Sequence, residues 1–507
     1  MSPPKDLCFY LILMLSAFTG AANGYYESRW TSCYHSSSDL SDMVFVDRYI
    51  FNKDVFIEFN STVGEYVGYT AHGVYNAELW NKDTIGLQQM RAEVERYCKH
   101  NAENHQSAIA DKTVPPQVKL SSVKQAGGRH PAVLMCSAYH FYPHWIQVTW
   151  MKDGQPVKAD VTSTEELPNG DWYYQIHSHL EYTPKSGEKI SCVVDHAGLT
   201  KPIIIDWDPS LPESERNKIA IGASGLVLGI IIAAAGLIYY KKKSSGGQAD
   251  TMIARLSRTC SPALPQDYGD QWRVFMVFLI LWVNDIPIEK IEHEAYQFSV
   301  CSNSEGEFFL GYDEEELWHA NFNLNTGIVT TPNFTGPMTF AGFYERALGF
   351  LAACKRNILS NINGFKNPPP EMDVPLTSIY PKDDVELGVQ NTLICHVTGF
   401  YPPSVRISWT KNNIDVTEGM RLSQYRPKKD GTFNIFSTLK FTPAEGDVYS
   451  CTVNHSALKG QRQTKIWDVD VVLPSVIPAV FCGVAMTLGL VGVAAGTFFF
   501  IKGKNCN

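Results

Sequence analysis

Cysteine and histidine are the side chains best placed to do chemistry in this chain, and their spacing limits what that chemistry is. The chain has 12 cysteines in 507 residues. None forms a Cys-x-x-Cys pair, so neither a zinc ribbon nor a thioredoxin-type redox site is indicated. Isolated, widely spaced cysteines fit structural disulfides made in an oxidising compartment. Cys8, Cys260, Cys482 and Cys506 fall in leader, linker, membrane and tail segments, which leaves eight for four bonds. Cys136 and Cys192 stand 56 residues apart, and so do Cys395 and Cys451. Cys33 with Cys98, and Cys301 with Cys354, each set a cysteine of an early strand against one of a helix, so that a bond would staple helix to sheet. His177 and His179 share one face of a strand with no third ligand nearby, which speaks against a metal site. Gly222-Ala-Ser-Gly225 is not a nucleophile elbow, and no phosphate loop occurs. The expectation is a protein that is not an enzyme and carries no cofactor and no metal. A net charge of −9 without a long basic run makes nucleic acid an unexpected partner.

The elements that must hold these cysteines are repeated. At an offset of 259 residues, Cys136 matches Cys395, Phe141-Tyr-Pro143 matches Phe400-Tyr-Pro402, Trp150 matches Trp409, Cys192 matches Cys451 and His196 matches His455. Each Trp follows the first cysteine of its pair by 14 residues, the Cys…Trp…Cys spacing of an immunoglobulin sandwich. The runs Ile146–Trp150 and Val405–Trp409 alternate apolar and polar residues, as half-buried strands do. Asp153-Gly154, Asn169-Gly170 and Asp430-Gly431 supply turns between strand-like runs. Tyr449 stands two residues before Cys451, where a tyrosine corner belongs, whereas Ile190 holds that place before Cys192. The first copy is therefore expected to lack that hydroxyl bond.

Ahead of each sandwich lies a segment that reads as strands followed by one long helix. In the first half the strands are 43–50, 54–59 and 65–70, and the helix runs from Ala77 to Asn104, with Leu87, Met90, Val94 and Tyr97 at helical spacing. In the second half the strands are 292–299, 307–312 and 317–323, and the helix runs from Ala341 to Ile362. A helix over a small sheet leaves an open edge and a bare face. Two such halves side by side would make one longer sheet carrying two helices, with a groove between them.

Lys5, the apolar run Leu7–Phe18 and small residues up to Gly24 read as a signal peptide. Ile219–Tyr240 and Val471–Ile501 are uncharged and long enough to span a bilayer, each followed by lysines. Between them Val274–Val283, preceded by Arg273, is too short to span and resembles a second signal core. The simplest account is two type I membrane precursors joined in one reading frame. The expected organisation is a signal peptide (1–24), a membrane-distal module (25–112), a sandwich (113–208), a spanning helix (218–240) and a tail or linker (241–271). A second signal-like segment (272–285), module (286–367), sandwich (368–468), span (474–501) and tail (502–507) follow. The fold class is thus α+β helix-over-antiparallel-sheet modules plus all-β C1-type sandwiches, with two single-pass transmembrane helices.

With these parts in place, residues 1–250 resemble a major histocompatibility class II beta chain and residues 252–507 the class II alpha chain, of a non-mammalian vertebrate type. The most specific pieces are Cys136-Ser-Ala-Tyr-His-Phe-Tyr-Pro143 with Ile190-Ser-Cys-Val-Val-Asp-His196, Cys395-His-Val-Thr-Gly-Phe-Tyr-Pro402 with Tyr449-Ser-Cys-Thr-Val-Asn-His455, and Trp80 with Cys98-Lys-His-Asn101. The resemblance implies that the alpha and beta halves pair and bind an antigenic peptide in their groove for display to helper T cells. It also implies the T-cell receptor, the helper co-receptor and the invariant chain as partners, and a route through the ER to the cell surface and the endosomal and lysosomal pathway. It assigns peptide-backbone contacts to Trp80, His100, Asn101 and Asn357. Without the family, Trp80 is also readable as core, His100 and Asn101 as a helix C-terminal cap pair, and Asn357 as a solvent-exposed side chain. The sequence departs from the family pattern where a second alpha-helix asparagine would align, since Phe350 stands there. A family arginine further along meets Gly364 or Asn363. Each loss removes a hydrogen bond to peptide backbone, so the alternatives are a non-conventional class II role (peptide exchange, or no peptide) and an immunoglobulin-superfamily adhesion receptor.

Three glycosylation sequons start at Asn60, Asn333 and Asn454, and strand alternation points Asn454 outward. Gly225 with Gly229 and Gly492 with Gly496, near Gly489, have the spacing that lets helices approach closely in lipid.

Overall fold

A computed structural model describes residues 24–124, 131–185, 187–208, 213–244, 292–469 and 477–504. The expected signal peptide, up to residue 23, and the second signal-like segment lie outside these residues, as does the linker beyond residue 244. The chain divides into two compact units: the modules up to Trp207 together with those from Ile288 to Val471, and the two long apolar helices.

In the first unit, strands from both halves form one sheet. They are β1 (Glu27–His35), β2 (Val44–Phe51), β3 (Asp54–Asn60) and β4 (Glu65–Gly68) from the first half, and β5 (His293–Cys301), β6 (Gly306–Tyr312), β7 (Glu315–Asn321) and β8 (Thr326–Val329) from the second. The order is β8-β7-β6-β5-β1-β2-β3-β4. β1 and β5 pair antiparallel from Glu27↔Cys301 to His35↔His293, so each half covers the other's open edge. The sequence reading gave no strand at β8, a short run of Thr, Gly, Ile and Val that lacks clear alternation.

Two walls lie on this sheet. The first is not the single helix expected over Ala77–Asn104. It starts earlier, breaks once and runs further, as α1 (Ala71–Trp80), α2 (Thr84–Glu93), a π-helical stretch (Val94–Lys99), α3 (His100–His105) and a second π-helical stretch (Gln106–Ala110). Local hydrogen bonds explain the difference. Thr70 Oγ1 accepts from Gly73 N at 3.1 Å and caps α1. Asn81 ends it by exchanging two bonds with the Tyr66 backbone, at 2.8 and 2.9 Å. Asp83 then accepts from Ile85 N and Gly86 N and starts α2. A Cβ on Gly73 would fall 1.7 Å from Phe56 O, so glycine lets α1 lie on β3. The second wall is one helix, α4 (Phe343–Gly364), close to expectation. Cys33–Cys98 and Cys301–Cys354 staple the walls to β1 and β5.

The sheet's other face packs on the sandwiches. Trp30, Ile50, Phe298 and Phe309 share a core with Leu393, Tyr401 and Phe433 of the second sandwich. A buried polar junction ties both sandwiches to β7. Arg426 Nη1 donates to Glu315 Oε2 at 3.0 Å and its Nη2 to Gly170 O at 2.9 Å, while Tyr174 Oη donates to Glu315 Oε1 at 2.9 Å. In each sandwich the disulfide forms as expected, Cys136–Cys192 and Cys395–Cys451. Trp150 and Trp409 are buried, with Nε1 donating to Ser178 and Ser437, both at 2.9 Å. The tyrosine corner is not formed as expected, because Tyr449 Oη reaches the Asp447 side chain at 3.5 Å rather than an upstream backbone group. Ile190 is simply buried.

The second unit is a pair of helices, Glu213–Ser244 and Ile477–Lys504. Both are long and apolar enough to cross a membrane, over Arg216–Lys243 and Pro478–Lys504. Glycines bring them into backbone contact. A Cβ on Gly229 would fall 2.3 Å from Gly489 O, and one on Gly489 would fall 2.4 Å from Gly225 O.

Candidate functional site

The groove between the walls has a floor set by strand alternation. Glu27, Arg29, Thr31 and Cys33 of β1 face the walls, opposite Phe51, Tyr49, Asp47 and Phe45 of β2 and Cys301, Ser299, Gln297 and Ala295 of β5. At its centre Arg29 donates to Asp47 through Nε and Nη2 at 2.9 and 2.7 Å, and Thr31 Oγ1 adds a bond of 2.8 Å. The Asp47 side chain is fully buried. The Arg29 guanidinium lies 4.9 Å from the Tyr49 ring centre and 5.1 Å from that of Phe350. Burial opposes the charge on Arg29, but Asp47 outweighs it and holds the guanidinium above its ordinary range.

Glu27 lies further along β1. Its carboxyl accepts from Asn361 Nδ2 at 2.9 Å and from Asn357 Nδ2 at 3.4 Å. Burial pushes its pKa up to about 8, with the two amides pulling the other way.

On the first wall, Trp80 ends α1, half-buried, with its ring centre 5.1 Å from that of Tyr49 and 5.0 Å from that of Tyr66, both in edge-on arrangements. It is thus packed on the floor at the side of the groove. His100 is exposed, and Asn101 is half-buried. The cap reading of this pair does not hold, because helical structure continues to Ala110. Asn101 joins Tyr97, His105, Leu317, Met338 and Phe343 in lining a cavity of about 440 Å³ that spans both halves.

On the second wall, Asn357 is exposed, as the family-free reading had it, though its amide leans toward Glu27. Phe350 lies against Phe308 and over Arg29. At Gly364 an added Cβ would fall 2.3 Å from His72 Nδ1, so the His72 ring of the opposite wall leaves no room there for a longer side chain. The structure therefore brings Trp80, Asn101 and Asn357 to one groove.

The sequence reading missed Glu27, Arg29 and Asp47, three ionisable residues of the floor. Their signals are Glu27 and Arg29 at period two in a strand of mixed polarity, and Asp47 beside Arg48 in the mostly apolar β2, which solvated faces produce as well. Of the sequons, Asn333 and Asn454 are exposed and Asn60 is half-buried. No group of three or more His, Cys, Asp or Glu able to hold a metal occurs among the described residues.

Comparison with known proteins is direct. Residues 7–106 match the family described as class II histocompatibility antigen, beta domain, and residues 292–371 the corresponding alpha domain. Residues 118–199 and 377–458 match the immunoglobulin C1-set domain. The chain is 37% identical over 216 residues to the DLA class II histocompatibility antigen, DR-1 beta chain, of Canis lupus familiaris, covering 43% of this chain and 80% of that one. It is 38% identical over 202 residues to the HLA class II histocompatibility antigen, DRB1 beta chain, of Homo sapiens, covering 40% and 76%.

Proposed function

This chain belongs to the class II histocompatibility family, with a beta-type half followed by an alpha-type half, and on that premise we propose that its groove holds an extended peptide and displays it to helper T cells. The observation that carries this reading is the pairing of β1 with β5, which makes one eight-stranded floor under two walls from halves that are each incomplete alone. A buried extended peptide needs a partner for each backbone N–H and C=O. Asn101 and Asn357 each offer a donor and an acceptor, which suits any peptide sequence. His100 and the Trp80 indole N–H add two more polar groups. Arg29 and Asp47 satisfy each other, so the floor presents aromatic rings around a neutralised pair.

The T-cell receptor, the helper co-receptor and the invariant chain are the proposed partners. The two apolar helices are proposed as type I membrane anchors of a protein that enters the ER and moves between the cell surface and the endosomal and lysosomal pathway. Asn60, Asn333 and Asn454 are proposed as glycan sites. A role in peptide exchange, or with no peptide, is favoured by Phe350 and Gly364, which remove two backbone contacts from one wall.

The test is acid elution of the purified full chain, followed by mass spectrometry. Peptides of many sequences in stoichiometric amount support presentation. A folded protein that yields none contradicts it.

A further inference from the structure

The two walls meet at the Glu27 end of the groove. α1 begins at Ala71 and α4 ends at Gly364, so the first turn of one wall faces the last turn of the other. The 2.3 Å between an added Cβ on Gly364 and His72 Nδ1 sets the backbone of one wall against a ring of its opposite.

Polar and aromatic side chains fill the space beneath that contact. Asn361 is buried, and its Nδ2 donates to Glu27 Oε2 on the floor at 2.9 Å. That leaves Asn361 Oδ1 to accept from His72 Nε2 at 3.3 Å. Asn76 Nδ2 donates to the His72 carbonyl at 2.8 Å, within the same turn of α1. The His72 ring centre lies 5.3 Å from that of Phe365 and 5.7 Å from that of Phe56 on β3. Phe365 in turn stacks on Phe51 of β2 at 4.9 Å. These contacts run from wall to wall and down to β1, β2 and β3. A second barrier lies behind them, where the chain leaves α4 through Pro368 and Pro369. Tyr25 Oη donates to Pro368 O at 2.5 Å, and Asn52 Nδ2 donates to Pro369 O at 3.0 Å.

An extended chain needs a corridor about 5 Å wide, the spacing at which strands lie side by side. His72 against Gly364 leaves no such corridor between the walls. We propose that the groove is closed at this end, and that a bound peptide terminates inside it with one chain terminus set against the His72–Asn361 bridge. The terminus clause rests on the groove being a peptide site, whereas the bridge between the walls does not.

The experiment compares the full chain with His72→Ala, both in detergent micelles, in two measurements. In the first, peptides eluted from the full chain should fall into nested sets that share one terminus, and His72→Ala should make that terminus ragged. One such peptide, lengthened by three residues at the shared terminus and rebound, should dissociate about tenfold faster than its parent, since the added residues must rise out of the groove and forfeit backbone bonds. His72→Ala should remove most of that penalty. In the second, hydrogen exchange of the protein freed of peptide, His72→Ala should speed the amides of 361–365 on the opposite wall about fivefold, one hydrogen bond's worth. Residues 343–350, at the far end of α4, serve as the internal reference. Peptide sets ragged at both ends in the unaltered chain, or unchanged exchange at 361–365 in a folded variant, overturns the closure. If no peptide elutes, the presentation reading fails, and the exchange result alone decides whether the end is closed.

Discussion

The beta-type wall reaches the floor through helices broken at Asn81–Asp83 and π-helical from Val94 to Lys99, whereas the alpha-type wall is one helix, Phe343–Gly364. Each is stapled once, but at different places. Cys98 anchors the late part of the beta-type wall, and Cys354 sits mid-helix, with Asn361 bonded to Glu27 one end further on. The beta-type wall keeps Trp80 and Asn101 beside the groove, with His100 exposed. The alpha-type wall has turned Phe350 down onto Arg29 and closed Gly364 against His72, leaving Asn357. On the proposed function, these like modules have unlike tasks, with one wall that grips the peptide and one that is held to the floor.

The largest effect expected is from the staples. Closed loops of 65 and 53 residues make each disulfide worth about 4 kcal/mol by loop entropy. Cys33→Ser with Cys98→Ser, and Cys301→Ser with Cys354→Ser, should cost similar global stability in denaturant titrations. Their local consequences should differ. Hydrogen exchange should rise sharply in 94–110 for the first pair, and less in α4 for the second, where Glu27 still holds Asn361.

Glu27→Gln comes next. The folded carboxyl, raised to about 8, binds a proton that the unfolded one releases near its ordinary value of 4.5. Stability therefore falls as pH rises from about 4.5 to about 8, and the variant should flatten that slope, gaining up to about 3 kcal/mol near neutral pH. Thermal melts across that window check it, and an unchanged slope would remove Glu27 from the account. Asp47→Asn strands Arg29. Because that side chain is 31% exposed, the loss should be about 2 kcal/mol, below the full cost of a buried unpaired charge. The smallest change sharpens the contrast of the walls directly: Phe350→Asn should slow release of eluted peptides by at most about tenfold, one backbone bond's worth.

Much of the fold was legible in the residues. Cysteine spacing and the 259-residue repeat carried the sandwiches and all four disulfides, and the incompleteness of each helix-over-sheet half carried the joined sheet. The break at Asn81 was not legible, because it depends on Asn81 reaching the backbone of Tyr66 across the turn. The start of α1 was hidden by Gly73, which reads as a loop residue until its contact with Phe56 is seen. Within the groove, Asn101 was found through its family motif. Glu27 and Asp47 were not, since a charge in a strand carries no sign of which face will be covered.

The division of labour between the walls is tested most directly by the dissociation half-time of one eluted peptide, rebound to the full chain and to Asn101→Ala and Asn357→Ala variants. The account predicts that Asn101→Ala shortens the half-time markedly more than Asn357→Ala does. Equal losses, or a larger loss for Asn357→Ala, would contradict it.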